Sequence, residues 1–570
     1  MQATLRYLRG GEGLTLAALL LFAGALFVLP LALLARVGLV DDGSLSLAPL
    51  MNALDSRSVP RALWNSIDSA GVSAALSLVA GTTVALVVGL TDARGKAVFT
   101  FLLLIPMMIP PHVTAIAWVQ AMGPSSPILN TVGLAPPPGS PHPLYSREGV
   151  IALLAVQHTP LVFLVVLAAL RALPREMSEA ARVAGAGAGR LMRRIVLPLL
   201  APTLIAAYAL AFVSALGNFG IPALLGIPAR YTTLPVLIWQ RLSSFGPSML
   251  ADVAAISALL AGLAILIVIV QMTLLGRSRA ALIGPPQAPL RLTLGRWRPV
   301  VEGAMVLLVL VTLLLPVAAL FGTALVVTYG LPLTAETMTL ANFREILFEQ
   351  SVTARAFLNS TLTAGAAALI IALGGMVLAR FLAGTARGPR RVGLGLSTLA
   401  EMTYAIPGLV ISIAFILAFI RPLPVVGVSL YNTLGIIFLA YLCAFFAVAL
   451  KPIAAAAMQL DPALDAAARV AGAGYGYRMR RIFLPLIAPA AASGAILVFL
   501  TAYNEVTVSA LLWSTGTETI GTAIYNYEDG GYTTLAAAMS AVTVIATVAL
   551  MAMLHVMGRR LPAGVVPWRL

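Results

Sequence analysis

Cysteine is nearly absent. Cys443 is the single one in 570 residues and lies inside an apolar run, so there is no disulfide framework and no cysteine metal site. Charge is scarce as well, at 10% of residues. The four histidines (His112, His142, His158, His555) show no ligand spacing. No Gly-x-x-x-x-Gly-Lys-Ser/Thr segment occurs, and Gly185-Ala-Gly-Ala-Gly189 has no lysine and follows no strand, so it is not a phosphate cradle. No carboxylate pair, triad or metal cluster argues for bond chemistry. The chain reads as a non-enzyme that binds no cofactor and no metal of its own.

Apolar residues are abundant, at 60%, with a mean hydropathy of +0.98. Such a chain is no ordinary soluble globule. Runs long enough to cross a bilayer recur along its whole length. They predict an all-α polytopic membrane protein with about twelve spans, near 14–39, 64–91, 97–122, 149–171, 196–226, 250–276, 299–328, 357–383, 394–420, 432–452, 483–513 and 534–557. The first run follows Arg6 and Arg9 but is too long for a signal peptide, so it is a span. Pro106, Pro110 and Pro111 in the third span and Pro407 in the ninth are expected to kink or break those helices. The formal charge of +15 is spread over short clusters between apolar runs and is not gathered with aromatics, which excludes nucleic acid as a partner. Arg94, Lys96, Arg387, Arg390, Arg391, Arg559, Arg560 and Arg569 fall on one side if both termini are cytoplasmic, the side that basic residues favour.

The chain repeats itself. Glu179-Ala-Ala-Arg-Val-Ala-Gly185 through Ile195-Val-Leu-Pro198 returns as Ala466-Ala-Ala-Arg-Val-Ala-Gly472 through Ile482-Phe-Leu-Pro485, at a constant offset of 287 residues. In each copy an alanine helix stops at glycine, turns, and restarts at a basic cluster that enters an apolar span. The pairs Arg193/Arg194 and Arg480/Arg481 suit lipid headgroups at that entry. Arg61-Ala-Leu-Trp-Asn65-Ser66 likewise recurs as Arg355-Ala-Phe-Leu-Asn359-Ser360, and Ile109-Pro110 as Ile406-Pro407. Six spans separate the two loops, so the halves are parallel repeats. The organisation is 1–276 with loop 175–195, a linker 277–298 carrying Pro285 and Pro286, and 299–570 with loop 462–482.

Glu-Ala-Ala, then Gly, then Ile-x-Leu-Pro resembles the cytoplasmic loop of ABC importer permeases of the type I fold. The resemblance implies a coupling helix that docks on a separate ATPase, two copies of which use ATP and Mg. By it, Glu179, Ala180, Ala181, Gly185 and Gly187 form one docking site, and Asp465, Ala467, Ala468, Gly472 and Gly474 the other. The second copy departs from the family pattern, because Ala466 stands where Glu179 does and Asp465 takes over the acid. A second resemblance, over Leu216-Gly-Asn-Phe-Gly-Ile-Pro-Ala-Leu-Leu-Gly226 and Ala502-Tyr-Asn-Glu505 onward, is to iron(III)-type binding-protein-dependent permeases. It implies a bacterial inner-membrane importer fed by a periplasmic or lipid-anchored binding protein, with ferric iron or a ferric chelate as cargo. Related fused permeases carry thiamine, phosphonates or other small solutes. An ion-coupled secondary transporter is the rival reading, and it gives no reason for duplicated docking loops.

Polar groups at membrane depth are costly and invite a functional reading. Asn218, Asn504, Glu505, Glu401 and His112 are expected to line or gate a pathway between the halves, against the alternative of interhelical hydrogen bonds. Gln157, His158 and Asp68 read as packing or interfacial groups.

Overall fold

The computed structural model describes residues 11–41, 44–173, 175–243, 249–277, 292–384, 386–422, 427–558, 560 and 565. Most of the expected linker, with Pro285 and Pro286, lies outside the described residues, as do Arg6, Arg9, Arg559 and Arg569. The chain is an all-α polytopic membrane protein. Among the described residues ten helices are long and apolar enough to cross a membrane, and two bent pairs bring the total to as many as twelve. Taking each bent pair as one span, we number them in chain order. Span one is Gly11–Leu39, span two Ser58–Leu90, span four Arg147–Arg171, span five Ala188–Leu216 and span six Met249–Leu275. Span seven is Gly295–Ala324, span eight Ser351–Leu382, span ten Leu434–Met458, span eleven Tyr475–Tyr503 and span twelve Thr533–Met557. A two-residue pairing of Val40–Asp41 with Ser44–Leu45 does not change the class.

Spans three and nine are the bent pairs. Span three turns through 102° between Lys96–Met108 and the arm that starts at Pro111, and span nine through 110° between Arg387–Ala405 and Gly408–Phe419. The cause is local. Proline lacks an N–H and pushes the residue before it out of the helical region. Ile109 (φ −80°, ψ 133°) and Ile406 (φ −77°, ψ 129°) are accordingly extended, in nearly the same geometry. Pro106 behaves otherwise and stays inside its helix.

Prolines also leave a quieter mark. Gly24–Val28, Met192–Val196, Leu310–Leu314 and Met479–Phe483 are single π turns, and each runs into a Leu-Pro pair. The wider turn relieves the clash between a proline ring and the carbonyl one turn back. The turns occur in spans one, five, seven and eleven, so the repeat extends to backbone detail.

Spans five and eleven are shorter than the sequence suggested. Their helices stop at Leu216 and Tyr503 rather than near 226 and 513, because Gly217, Asn218, Asn504 and Glu505 end them and the chain continues as buried turns. Within each half the helices approach closely through small residues. Ser77 Oγ donates to Ala155 O at 3.0 Å, and a Cβ on Gly81 would come within 2.8 Å of Thr159 O. The first helix of each half crosses over: span one packs on the Gly408–Phe419 arm of span nine, and span seven on the Pro111–Met122 arm of span three.

Candidate functional site

The two repeated loops have the same construction. Helices Arg175–Val183 and Pro462–Val470 each end in a Schellman turn. Ala186 N donates to Ala181 O at 2.9 Å and Gly185 N to Arg182 O at 2.9 Å; Ala473 N donates to Ala468 O at 2.9 Å and Gly472 N to Arg469 O at 3.0 Å. Gly185 and Gly472 take φ +78° and +81°, where a side chain is strained. Gly187 and Gly474 then cap the restarting helix in extended geometry. Glu179, Ala180 and Ala467 are exposed, and Ala181 and Ala468 are half-buried. Nothing approaches within 4 Å of where a Cβ would stand on the four glycines.

Sequence reasoning missed the apolar part of this surface. Val183 and Val470 are each 91% exposed, and Met177 and Leu464 are 41% and 47% exposed. Both pairs recur at the offset of 287, which was the available signal.

The loops differ in how they are held. Asp465 faces its own chain: its carboxylate takes Arg380 at 3.1 Å, Arg469 at 3.0 Å and Arg478. Glu12 of span one adds contacts to Arg380 at 3.7 Å, Arg469 at 3.8 Å and Arg478 at 3.6 Å. Partial burial pushes the Asp465 carboxyl up, but Arg380, Arg478 and Arg469 together hold it below the usual range. Tyr475 and Thr15 hydroxyls meet at 3.1 Å beside the cluster. In the first half the positions of Asp465 and Arg478 are Ser178 and Leu191, which carry no charge.

At the far end of spans five and eleven the halves meet. A Cβ on Gly217 would lie 3.2 Å from Pro407, and Asn504 Nδ2 donates to Met108 O at 3.2 Å. Each span therefore ends against the break in the other half. The Asn504 amide also reaches Thr547 Oγ1 at 3.3 Å. Asn218 Oδ1 accepts from Ile221 N at 3.1 Å, and the Glu505 carboxylate accepts from the N–H groups of Val508 and Ser509. Both side chains serve the turn that follows them, at matching positions. His112 is fully buried beside Gly220, whereas Glu401 is exposed on the Arg387–Ala405 arm, apart from the others.

Beside this junction lies an aromatic cluster. Trp239 comes from the short helix Leu234–Leu242 and Tyr525 from its counterpart Ile520–Asp529. Their rings meet edge-on at 5.9 Å, and Phe219 sits 5.9 Å from Trp239 and 5.5 Å from Tyr525. The repeated Asn-Ser motif pins both short helices. Asn65 Nδ2 donates to Thr232 O at 2.9 Å and Ser66 Oγ accepts from Leu234 N at 2.8 Å. Asn359 Nδ2 donates to Glu518 O at 2.9 Å and Ser360 Oγ accepts from Ile520 N at 2.9 Å. Asp68 takes the Arg147 guanidinium at 2.6 Å, and His158 meets Ser214 at 2.9 Å.

Comparison with known proteins adds a family. The one described as "Binding-protein-dependent transport system inner membrane component" matches twice, over residues 79–279 and 371–563, once in each half and each time with one of the repeated loops. Among similar proteins, a "Probable ABC transporter permease protein" of Sinorhizobium fredii is 27% identical over 87% of both chains. An "Fe(3+)-transport system permease protein" of Haemophilus influenzae is 24% identical over 76% of this chain and 77% of its own. A "Putative 2-aminoethylphosphonate transport system permease protein" of Salmonella choleraesuis is 28% identical over 39% of this chain and 78% of its own.

Proposed function

This chain belongs to the family of binding-protein-dependent transport system inner membrane components, and from that premise we propose that it imports a small solute handed over by a binding protein while a separate ATPase, docked on both loops, does the work. It is a fused two-half ABC transporter permease. The observation that carries the proposal is the matched pair of loops: the same Schellman turn, the same bare valine, and each placed at the start of a helix whose far end meets the other half. Ala188–Leu216 has 29 residues, about 43 Å at 1.5 Å per residue, so one continuous helix joins the loop to the aromatic cluster, which we read as the closure of the pathway. Two ATPase copies closing on ATP and Mg would move the docking helices together. Spans five and eleven would carry that motion to Gly217 and Asn504 and shift the balance between a closed and an open arrangement of Phe219, Trp239 and Tyr525. Both termini then lie on the ATPase side.

For the cargo we propose ferric iron in an oxygen-ligated form, with an oxyanion such as a phosphonate as the second reading. One relative's name supports each. The test is uptake by proteoliposomes holding the permease, its ATPase and the loaded binding protein. Uptake that requires ATP and the binding protein is expected. Uptake driven by an ion gradient with the ATPase omitted would overturn the proposal in favour of a secondary transporter.

A further inference from the structure

The helix after the first break, Pro111–Met122, is buried at every position from His112 to Ala121. Four of its polar side chains nevertheless lack a hydrogen-bond partner. These are both ring nitrogens of His112, both amide atoms of Gln120, the Thr114 hydroxyl and the Trp118 indole N–H. Leaving buried donors and acceptors unpaired is expensive, and native structures keep such groups for water, an ion or a ligand.

The second half shows what the same helix looks like when it only packs. In Gly408–Phe419 the counterparts are Leu409, Ile411, Phe415 and Leu417. Its one polar side chain, Ser412, is satisfied by Gly408 O at 3.0 Å and Val508 O at 2.7 Å. The polar set is thus an addition in one half, not a requirement of the fold.

His112 and Gln120 lie two helical turns apart on one face. A Cβ on Gly220 would come within 2.9 Å of His112 N, and Gly220 directly follows Phe219, one of the three rings of the closure. A solute passing the opened closure would therefore meet His112 early. Thr114 and Trp118, on the opposite face, line a narrow crevice with room for about one water against Thr312, Pro316 and Leu320 of the second half.

We infer that His112 and Gln120 form the cargo-contacting face of this permease, and that they take an oxygen-rich solute, either an oxyanion or a metal enclosed in an oxygen-ligand chelate, rather than a bare metal cation. The inference rests on the import reading above. Imidazole and amide N–H groups donate to anionic oxygens, and the amide oxygen and second ring nitrogen accept from hydroxyls or ammonium groups. A bare trivalent cation calls for carboxylate or phenolate oxygens, which these two side chains do not offer. An uncharged set also binds weakly enough to release what it has admitted, as transit requires.

The test uses the purified permease–ATPase complex and the double variant His112→Leu/Gln120→Leu, which copies the second half. Thermal unfolding is followed with molybdate, 2-aminoethylphosphonate, ferric citrate and, as a bare trivalent cation, lanthanum chloride. At least one of the first three is expected to raise Tm of the wild type and to lose that effect in the variant. The unliganded variant should be as stable as the wild type or more so, since its orphaned groups are gone. ATPase stimulation by loaded binding protein should fall at least tenfold. A shift that survives in the variant, a response to lanthanum alone, no response to any probe, or undiminished stimulation would overturn the assignment. A wild-type chain that does not retain the ATPase at all would instead overturn the import reading.

Discussion

Single residues decide how the loops engage. Gly185 and Gly472 hold a conformation that costs an L-residue roughly 1–2 kcal/mol, and valine, being β-branched, suits it least. The double change Gly185→Val/Gly472→Val is expected to leave the membrane bundle folded while abolishing ATPase stimulation by loaded binding protein. Normal stimulation in reconstituted membranes would remove these turns from the coupling path. Val183 and Val470 carry a different term. Burying one valine against a partner contributes about 1.5–2 kcal/mol. Val183→Asp should therefore weaken ATPase binding at least tenfold, measured as Kd by titration of the purified subunit. Val470→Asp should do the same if both loops dock alike.

Among the elements, the two short helices carry two of the three rings of the proposed closure. Each is pinned by an Asn-Ser pair, and their contact across the halves is the ring pair Trp239 and Tyr525. Trp239→Ala/Tyr525→Ala removes about two-thirds of the closure and an aromatic interaction worth about 0.5–1.5 kcal/mol beyond area. That is a large bias on an equilibrium between closed and open arrangements. Basal ATP hydrolysis should rise and lose its dependence on the binding protein. Unchanged basal activity would mean that the closure does not set the resting state. The π turns ahead of Pro30, Pro198, Pro316 and Pro485 show how much of an element is written locally, since the same dipeptide produces the same deviation four times.

Across the whole molecule, the halves are locked at the basic end by two unlike joints. Span seven begins on the loop after span two, where Leu294 N donates to Asp92 Oδ1 at 2.9 Å and Arg298 donates to Asp92 O at 2.8 Å. Span one begins on the ion cluster of the second docking loop, where Glu12 faces Arg380, Arg469 and Arg478. Arg478 is 9% exposed but Asp465 is 31% exposed, and Glu12 stays beside Arg478 when Asp465 is neutralised, so the loss falls below the about 3–5 kcal/mol of a fully buried pair. Asp465→Asn should lower Tm and loosen the second loop, whereas Ser178→Ala at the matching position should do neither. Thermal unfolding of the two variants measures the difference, and equal Tm values would show the cluster to be idle. The sign of its pH dependence follows from the depressed carboxyl. Its stabilisation is complete above the unfolded value near 4 and is lost as pH falls through the lower folded value, so neutral and mildly alkaline conditions leave it intact.

The sequence by itself determined whatever a few adjacent residues can dictate. Apolar runs of bilayer length set the spans, prolines broke spans three and nine, glycines turned both loops, and an offset of 287 residues tied the halves together. These are properties of backbone chemistry and of burial in lipid, and they need no distant partner. Only the tertiary structure decided where the polar groups point. Asp465 joined an ion cluster because span one and Arg380 arrive beside it from residues 12 and 380. Asn218 and Glu505 satisfy their own turns because their helices end a residue or two earlier, at Leu216 and Tyr503. Phe219, Trp239 and Tyr525 became one aromatic cluster although some 300 residues separate the first from the last. A side chain's partner depends on which elements pack together, and that is settled by the summed burial of the whole bundle, a quantity no local stretch contains.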